Sequence, residues 1–195
     1  MVRIGIVGVG FMGMIHFYGA KKLRGGKVTA ICTRNPKKLA GDWSSIQGNF
    51  GPRGSKNEEL GGVARYPEVE QLLADPSIDL VDICLPTDQH ADVAIAAARA
   101  GKHVLVEKSI ALDIRDANHM VAEAKRAGVH LMVAHVLPFF PEFAYARQVI
   151  RTGKYGRRMN GTRRRNSSDD TTYMSKKLRW LLTSTTPRSA SHATA

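Results

Sequence analysis

The chain has 195 residues, which is room for one domain of ordinary size, about 100 to 200 residues, plus an appendage, and is short for a two-domain enzyme. Hydrophobic residues make up 43% and charged residues 24%, a soluble globular balance that excludes a disordered, collagen-like or disulfide-stapled chain. The formal charge of +12 raises nucleic acid or an anionic membrane as partners, but residues 157–195 carry nine basic residues against two aspartates, so +7 of it belongs to the tail.

That tail differs in kind from the rest. Thirteen of its 39 residues are Ser or Thr, and its apolar residues cluster around Leu178 to Leu182, which predicts a disordered segment outside any core. No run approaches the roughly 18 apolar residues of a membrane span, and the apolar start is interrupted by glycines, so neither a span nor a signal peptide is expected. Cys32 and Cys84 each lie within an apolar stretch, as buried thiols in a reducing compartment would, which points to the cytoplasm.

Along the first 135 residues, short β-branched runs alternate with longer helical patterns, the sign of βαβ units feeding a parallel sheet. In chain order the pattern predicts a strand over Arg3–Val7, a helix over Met12–Leu23, a strand over Lys27–Cys32 and a helix over Pro36–Trp43. A loop over Ser44–Gly62, with five glycines and a proline, then leads to a strand over Gly62–Tyr66 and a helix over Pro67–Leu73. The strand Leu80–Leu85, the helix Asp88–Ala100, the strand His103–Val106, the helix Asp113–Ala127 and the strand His130–Ala134 complete the alternation. Pro36 and Pro67 mark helix starts, Gly101 and Gly128 mark helix ends, and a further amphipathic helix over Phe139–Arg151 closes at Gly153. The fold class is therefore α/β, a doubly wound parallel sheet of Rossmann type. Its expected boundaries are 1–137 for that domain, 138–156 for a crossover helix and 157–195 for the basic tail.

Gly8, Gly10 and Gly13 form a G-x-G-x-x-G triplet directly after the first strand and at the opening of the first helix, as a dinucleotide-binding turn requires. Gly8 would permit the tight turn, Gly10 the approach of a pyrophosphate, and Gly13 the packing of helix on strand; the helix N-terminus would supply N–H groups and partial positive charge. NAD is usually recognised by an acidic residue about 20 positions further on. Thr33 followed by Arg34 stands there instead, a hydroxyl that tolerates a 2′-phosphate and a guanidinium that can pair with it, so NADP is favoured over NAD. A plain surface arginine is the alternative at that position.

The segments ICLPTDQH (83–90) and AARAGKHVLVEK (97–108), with the amino-terminal GVGFMG, resemble the nucleotide-binding half of the Gfo/Idh/MocA family, the relatives of glucose-fructose oxidoreductase and inositol dehydrogenase. The resemblance runs from residue 2 to about 156. It implies a nicotinamide-dependent oxidoreductase that moves hydride between the cofactor and a sugar or polyol hydroxyl, with Lys108 in catalysis at the nicotinamide side and Glu107 beside it. The cofactor would meet Gly8, Gly10, Phe11, Met12 and Gly13 in the turn, Thr33 and Arg34 after the second strand, Pro86, Thr87 and His90 after the fourth, and Glu107 and Lys108 after the fifth. A lysine partly desolvated at that edge of the sheet can exchange a proton with a substrate hydroxyl. An ion pair or a helix end is the structural alternative for it.

Two departures from the family pattern stand out. Ser109 replaces the usual proline after the lysine, and a cis bond before serine costs about 2.5 to 4 kcal/mol, which predicts a different placement of the Lys108 backbone. Pro138 stands where relatives often place an arginine. His90 and His135 lack a second ligand at i+3 or i+4, so no metal is expected; His90 is read as orienting the loop near the cofactor, and His103 and His130 as standing at strand starts. The family's second domain supplies the substrate pocket, an Asp and a His for proton transfer, and the oligomer interface. Only 39 residues follow Gly156, and they lack that constellation and the alternation of a strand, so the chain is expected to be truncated or frame-shifted and weakly active. A dinucleotide-binding module without turnover is the alternative. Nucleic-acid binding by Arg157, Arg158 and Arg163–Arg165 is disfavoured, because no aromatic platform or recognition helix accompanies them.

Overall fold

Six short apolar runs pair side by side, all parallel, in the order β3-β2-β1-β4-β5-β6. They are β1 (Val2–Val7), β2 (Gly26–Cys32), β3 (Ala64–Tyr66), β4 (Leu80–Ile83), β5 (His103–Val106) and β6 (Leu131–Val133). The computed structural model describes residues 1–153. Helices α1 (Phe11–Ala20), α2 (Pro36–Leu39), α3 (Val69–Ala74), α4 (His90–Arg99) and α5 (Ile114–Ala127) connect the strands, and α6 (Pro141–Thr152) follows the last.

Alternation along β1 shows why both faces are covered. Ile6 packs with Met14, Phe17, Ile31 and Trp43 on one side, while Val7 packs with Val81, Ile83, Ala94 and Val106 on the other. All of these side chains are buried. A parallel strand with helices on both faces needs apolar residues at successive positions, and Ile6-Val7 and Ile31-Cys32 provide them, whereas on β4 Val81 and Ile83 share one face and Asp82 takes the other. The chain winds outward from β1 in one direction to β3 and in the other through β4 to β6, so strand order reverses between β1 and β4. Ligands of open α/β sheets bind at the carboxyl ends of the strands at such a point.

The elements follow the sequence pattern, with instructive differences. The helix expected over Pro36–Trp43 is a single turn, capped by the Asn35 side chain, which accepts from Lys37 N and Lys38 N. It stops because Gly41 turns with φ +99° and the fully buried Trp43 swings into the core, donating its indole N–H to Lys38 O at 2.9 Å. Pro67 is not a helix start, since α3 begins at Val69. The helix expected from Asp88 is preceded by a 3-10 turn over Thr87–Gln89. Gly128 ends α5 with φ 68° and Gly153 ends α6 with φ 62°, both left-handed as expected. The Lys108–Ser109 peptide is cis, which corrects the expectation of a different backbone placement: the serine takes the cis form.

The described residues fall into two units, residues 1–135 and residues from 136 on. Within the second unit, α6 begins with Pro141 in its first turn and carries Phe143 and Tyr145. The expectations for the tail, including the arginine clusters and the absence of a further domain, lie outside the described residues.

Candidate functional site

At the carboxyl end of β1 the chain turns at Gly8 with φ +97°, where a Cβ would stand 2.7 Å from Cys84 O. Gly13 has no room for a side chain either, since its Cβ would lie 2.0 Å from Gly8 O. Gly10 is different: a Cβ there would meet nothing within 4 Å. The open space at Gly10 and the close contacts at Gly8 and Gly13 match the three roles that a pyrophosphate-binding turn assigns to its glycines. Gly10 caps α1 without a side-chain bond, and no acidic residue lies in the first turn, so that end of α1 presents backbone N–H groups and partial positive charge to an anion. Phe11 and Met12 are half-buried there; the Phe11 ring packs edge-on against Phe50 with centroids 4.8 Å apart.

A cleft of about 460 Å³ opens beside this turn and brings together Gly8, Thr33, Arg34 and Pro86, with Glu70 and Asp92 on its walls. Thr33 Oγ1 accepts from Asn35 N at 3.3 Å. The Arg34 side chain is 84% exposed and lies 3.9 Å from Glu68, a surface pair of little energetic weight that leaves the guanidinium available. Pro86 is exposed and Thr87 half-buried.

His90 sits differently from the other residues expected to touch a cofactor. It is wholly buried, and its ring bridges two carbonyls, with Nε2 2.8 Å from Leu85 O and Nδ1 2.8 Å from Ser109 O. Glu107 is buried too, 5% exposed. Its Oε2 accepts the Lys108 N–H at 3.1 Å, and its Oε1 lies 3.1 Å from His16 Nε2, an ion pair whose alignment falls short of a hydrogen bond. Lys108 and Ser109 are exposed, so the partial desolvation expected for the lysine is not supplied by the described residues. His103 and His130 lie at strand starts, as expected, with rings 5.1 Å apart.

His16 was not legible as a site residue. It projects from α1 between β4 and β5, with Nδ1 2.8 Å from Asp82 Oδ2 and Nε2 toward Glu107. Burial alone would lower its pKa, but Asp82, the Cys84 sulfur and Glu107 together raise it well above the ordinary imidazole value. In turn, burial pushes Glu107 up while the His16 imidazolium and the Lys108 N–H pull it down, and the net direction is down. Burial raises the Cys84 thiol to about 12, which makes it inert. His16, Asp82 and Cys84 each offer one ligand atom within a small space, but two nitrogen or oxygen ligands on one tetrahedral zinc ion stand about 3.3 Å apart. The 2.8 Å separation of His16 and Asp82 is that of a charge-assisted hydrogen bond. The signal in the sequence was Asp82 itself, a carboxylate inside an otherwise apolar buried strand, which demands a partner.

Comparison with known proteins agrees with this arrangement. Residues 2–135 match the model of GFO_IDH_MocA, described as an oxidoreductase family with an NAD-binding Rossmann fold. The chain is 29% identical over 156 residues to a myo-inositol 2-dehydrogenase of Thermotoga maritima, covering 80% of this chain and 42% of that protein. It is 30% identical over 158 residues to a 1,5-anhydro-D-fructose reductase of Ensifer adhaerens, covering 80% and 43%. Among solved structures, scyllo-inositol dehydrogenase from Lactobacillus casei with bound NAD(H) and scyllo-inositol is similar at 30% identity and TM-score 0.67, covering 80% of this chain and 42% of that one. The chain thus spans about two fifths of the length of these relatives. Among the described residues, no helix is long and apolar enough to cross a membrane.

Proposed function

The chain belongs to the Gfo/Idh/MocA family of oxidoreductases, with its NAD-binding Rossmann fold, and on that premise we propose that it binds NADP or NAD across the Gly8–Gly13 turn and serves hydride transfer to or from a sugar or polyol hydroxyl. The observation that carries the reading is the contrast within the turn: Gly8 and Gly13 have no space for a Cβ and Gly10 has nothing but space. A bound nicotinamide would supply the hydride acceptor or donor. The backbone N–H groups at the start of α1 hold phosphate oxygens, and the cleft beyond Gly8 takes the adenosine end against Thr33, Arg34 and Pro86. With no carboxylate at Thr33 and an exposed guanidinium at Arg34, the 2′-phosphate of NADP is favoured over a free 2′-hydroxyl. Lys108, exposed at the carboxyl end of β5, gives or takes the hydroxyl proton as the hydride moves.

Titration of the purified chain with NADPH and NADH tests this. Binding tighter than millimolar, stronger for NADPH and reduced toward the NADH value by Arg34→Ala, is the expected result. If neither nucleotide binds below millimolar concentration, the reading is wrong. A second reading, dinucleotide binding without turnover, is favoured by the exposure of Lys108, around which the described residues build no water-excluding walls of the kind that proton transfer at a reacting carbon uses. NADP-linked oxidation of any polyol, abolished by Lys108→Ala, would overturn the second reading and leave the first.

A further inference from the structure

Lys108 is an exposed side chain on a backbone segment that is held from both sides by histidines, His90 buried and His16 partly exposed. On its amino-terminal side stands Glu107, 5% exposed, with one carboxylate oxygen on the Lys108 N–H and the other against His16 Nε2. On its carboxyl-terminal side stands Ser109, whose carbonyl lies 2.8 Å from His90 Nδ1. The two histidines come from different helices. His16 is on α1, the helix whose first turn faces the expected phosphates, and His90 opens α4, next to the loop that carries Pro86 and Thr87.

We propose that His16 and His90 are the positioning residues of Lys108, His16 through the Glu107 carboxylate and His90 through the Ser109 carbonyl, and that together they fix the lysine relative to the dinucleotide cleft. The assignment deepens the reading of Lys108 given above and rests on it for its functional meaning.

The chemistry of each contact supports a holding role. His16 is flanked by Asp82 from β4, Cys84 just beyond it and Glu107 from the end of β5, with hydrogen-bond or ion-pair contacts at 2.8 Å, 3.5 Å and 3.1 Å. A cation between two buried carboxylates resists displacement, because moving it away would leave two buried charges uncompensated. This ties the helix of the phosphate turn to the strand that ends at Lys108. His90 has no exposed surface and both of its ring nitrogens already face carbonyl oxygens, so it is not available for substrate or cofactor. Its second contact, Leu85 O, binds the end of β4 to the Lys108 turn. A side chain that exchanges protons must be held near its reacting partner, and misplacement by about 1 Å can cost about a hundredfold in rate. With the Lys108 side chain in solvent, its position depends on its backbone.

Amide exchange at Lys108 in the free chain reads the hold without any nucleotide, so a failed cofactor titration and a failed positioning test are separate results. His16→Gln and Glu107→Gln are each expected to speed exchange of the Lys108 amide by about tenfold or more, while amides of β1 and β4 stay protected. His90→Gln, which keeps a donor toward Leu85 O and loses the one toward Ser109 O, is expected to shift the Ser109 carbonyl resonance and to speed the same amide. His90→Asn, with its amide nitrogen near the Nδ1 position, is expected to restore both. Should His90→Gln fail to fold, the His16 and Glu107 variants and His90→Asn still decide the matter. Unchanged Lys108 exchange in His16→Gln, or loss of protection spread equally over β1 and β4, would overturn the proposal, as would a His90→Asn variant no better than His90→Gln.

Discussion

The two ends of the sheet carry similar polar residues and use them differently. At the amino ends, Arg3 holds Asp79 through Nε at 3.0 Å and Nη2 at 2.7 Å, which keeps the Asp79 carboxyl well below its ordinary range. Lys102 is buried and donates to Asp75 O at 2.7 Å and Ile78 O at 2.8 Å, and His103 Nδ1 accepts from His130 N at 3.1 Å. These groups serve each other and close the loops that enter the strands. At the carboxyl ends, Gly10 opens on empty space, and the side chains of Arg34 and Lys108 stand exposed. Burial rises along β1, β2 and β4 toward their carboxyl ends, so the packed core reaches up to the site. What marks the site is a set of exposed polar groups, Arg34 and Lys108 among them, beside buried polar groups that pair with one another.

The comparison breaks most severely at Gly13. Gly13→Ala places a Cβ 2.0 Å from the Gly8 carbonyl oxygen, a backbone atom that no side-chain rotation can move away. A loss of about 3 kcal/mol is expected from overpacking, larger than the gain of roughly 1 kcal/mol that alanine brings to a helix. Urea denaturation measures it, and a fall well short of 1 kcal/mol would show that the turn is more pliant than its contacts indicate. At the opposite end of the strands, Lys102→Met removes two hydrogen bonds to buried carbonyls and is expected to cost about 2 kcal/mol, with nucleotide affinity unchanged. A change in affinity there would mean that the two ends are not independent.

A smaller effect comes from pH. In the folded chain His16 keeps its proton far above the value of 6.5 for a free imidazole, so the stabilisation from its charge is complete below about pH 6.5 and declines as pH rises toward the folded value near 12. Between pH 7 and 9 the slope is at most about 1.4 kcal/mol per unit, and solvent contact at the partly exposed ring reduces it. Denaturant midpoints across that interval are expected to fall in the unmodified chain more steeply than in His16→Gln. Parallel pH profiles would mean that His16 is neutral in the fold.

Much of this was legible in the sequence, and the gaps have physical causes. Strands covered on both faces appear as apolar runs that local composition reveals, and the glycine triplet and the Thr33-Arg34 pair declare themselves by spacing from a strand end. The sequence pattern overstates the length of α2 because Trp43 has no helical role; it fills the core between α1 and β2, a packing demand invisible from neighbours in sequence. His16 gives no local signal for the same reason, since its partner Asp82 lies 66 residues away. Histidine is a weak signal by itself, and its meaning here comes from two carboxylates that the sheet brings to it.

The smallest effect on folding, and the sharpest separation of scaffold from site, is expected at Gly10. Its conformation is extended, with φ −100° and ψ −162°, a region open to any residue, and a Cβ there would meet no atom within 4 Å. Gly10→Ala should therefore leave stability within about 0.5 kcal/mol of the unmodified chain. The same methyl group would stand in the space through which a pyrophosphate approaches the backbone N–H groups of α1. Affinity for NADPH and NADH is thus expected to fall by about tenfold or more, a loss of about 1.4 kcal/mol in binding with none in folding. Thermal denaturation and nucleotide titration of this one variant give the two numbers. If stability and affinity fall together, Gly10 belongs to the scaffold with Gly8 and Gly13; if neither falls, the phosphates do not lie across this turn.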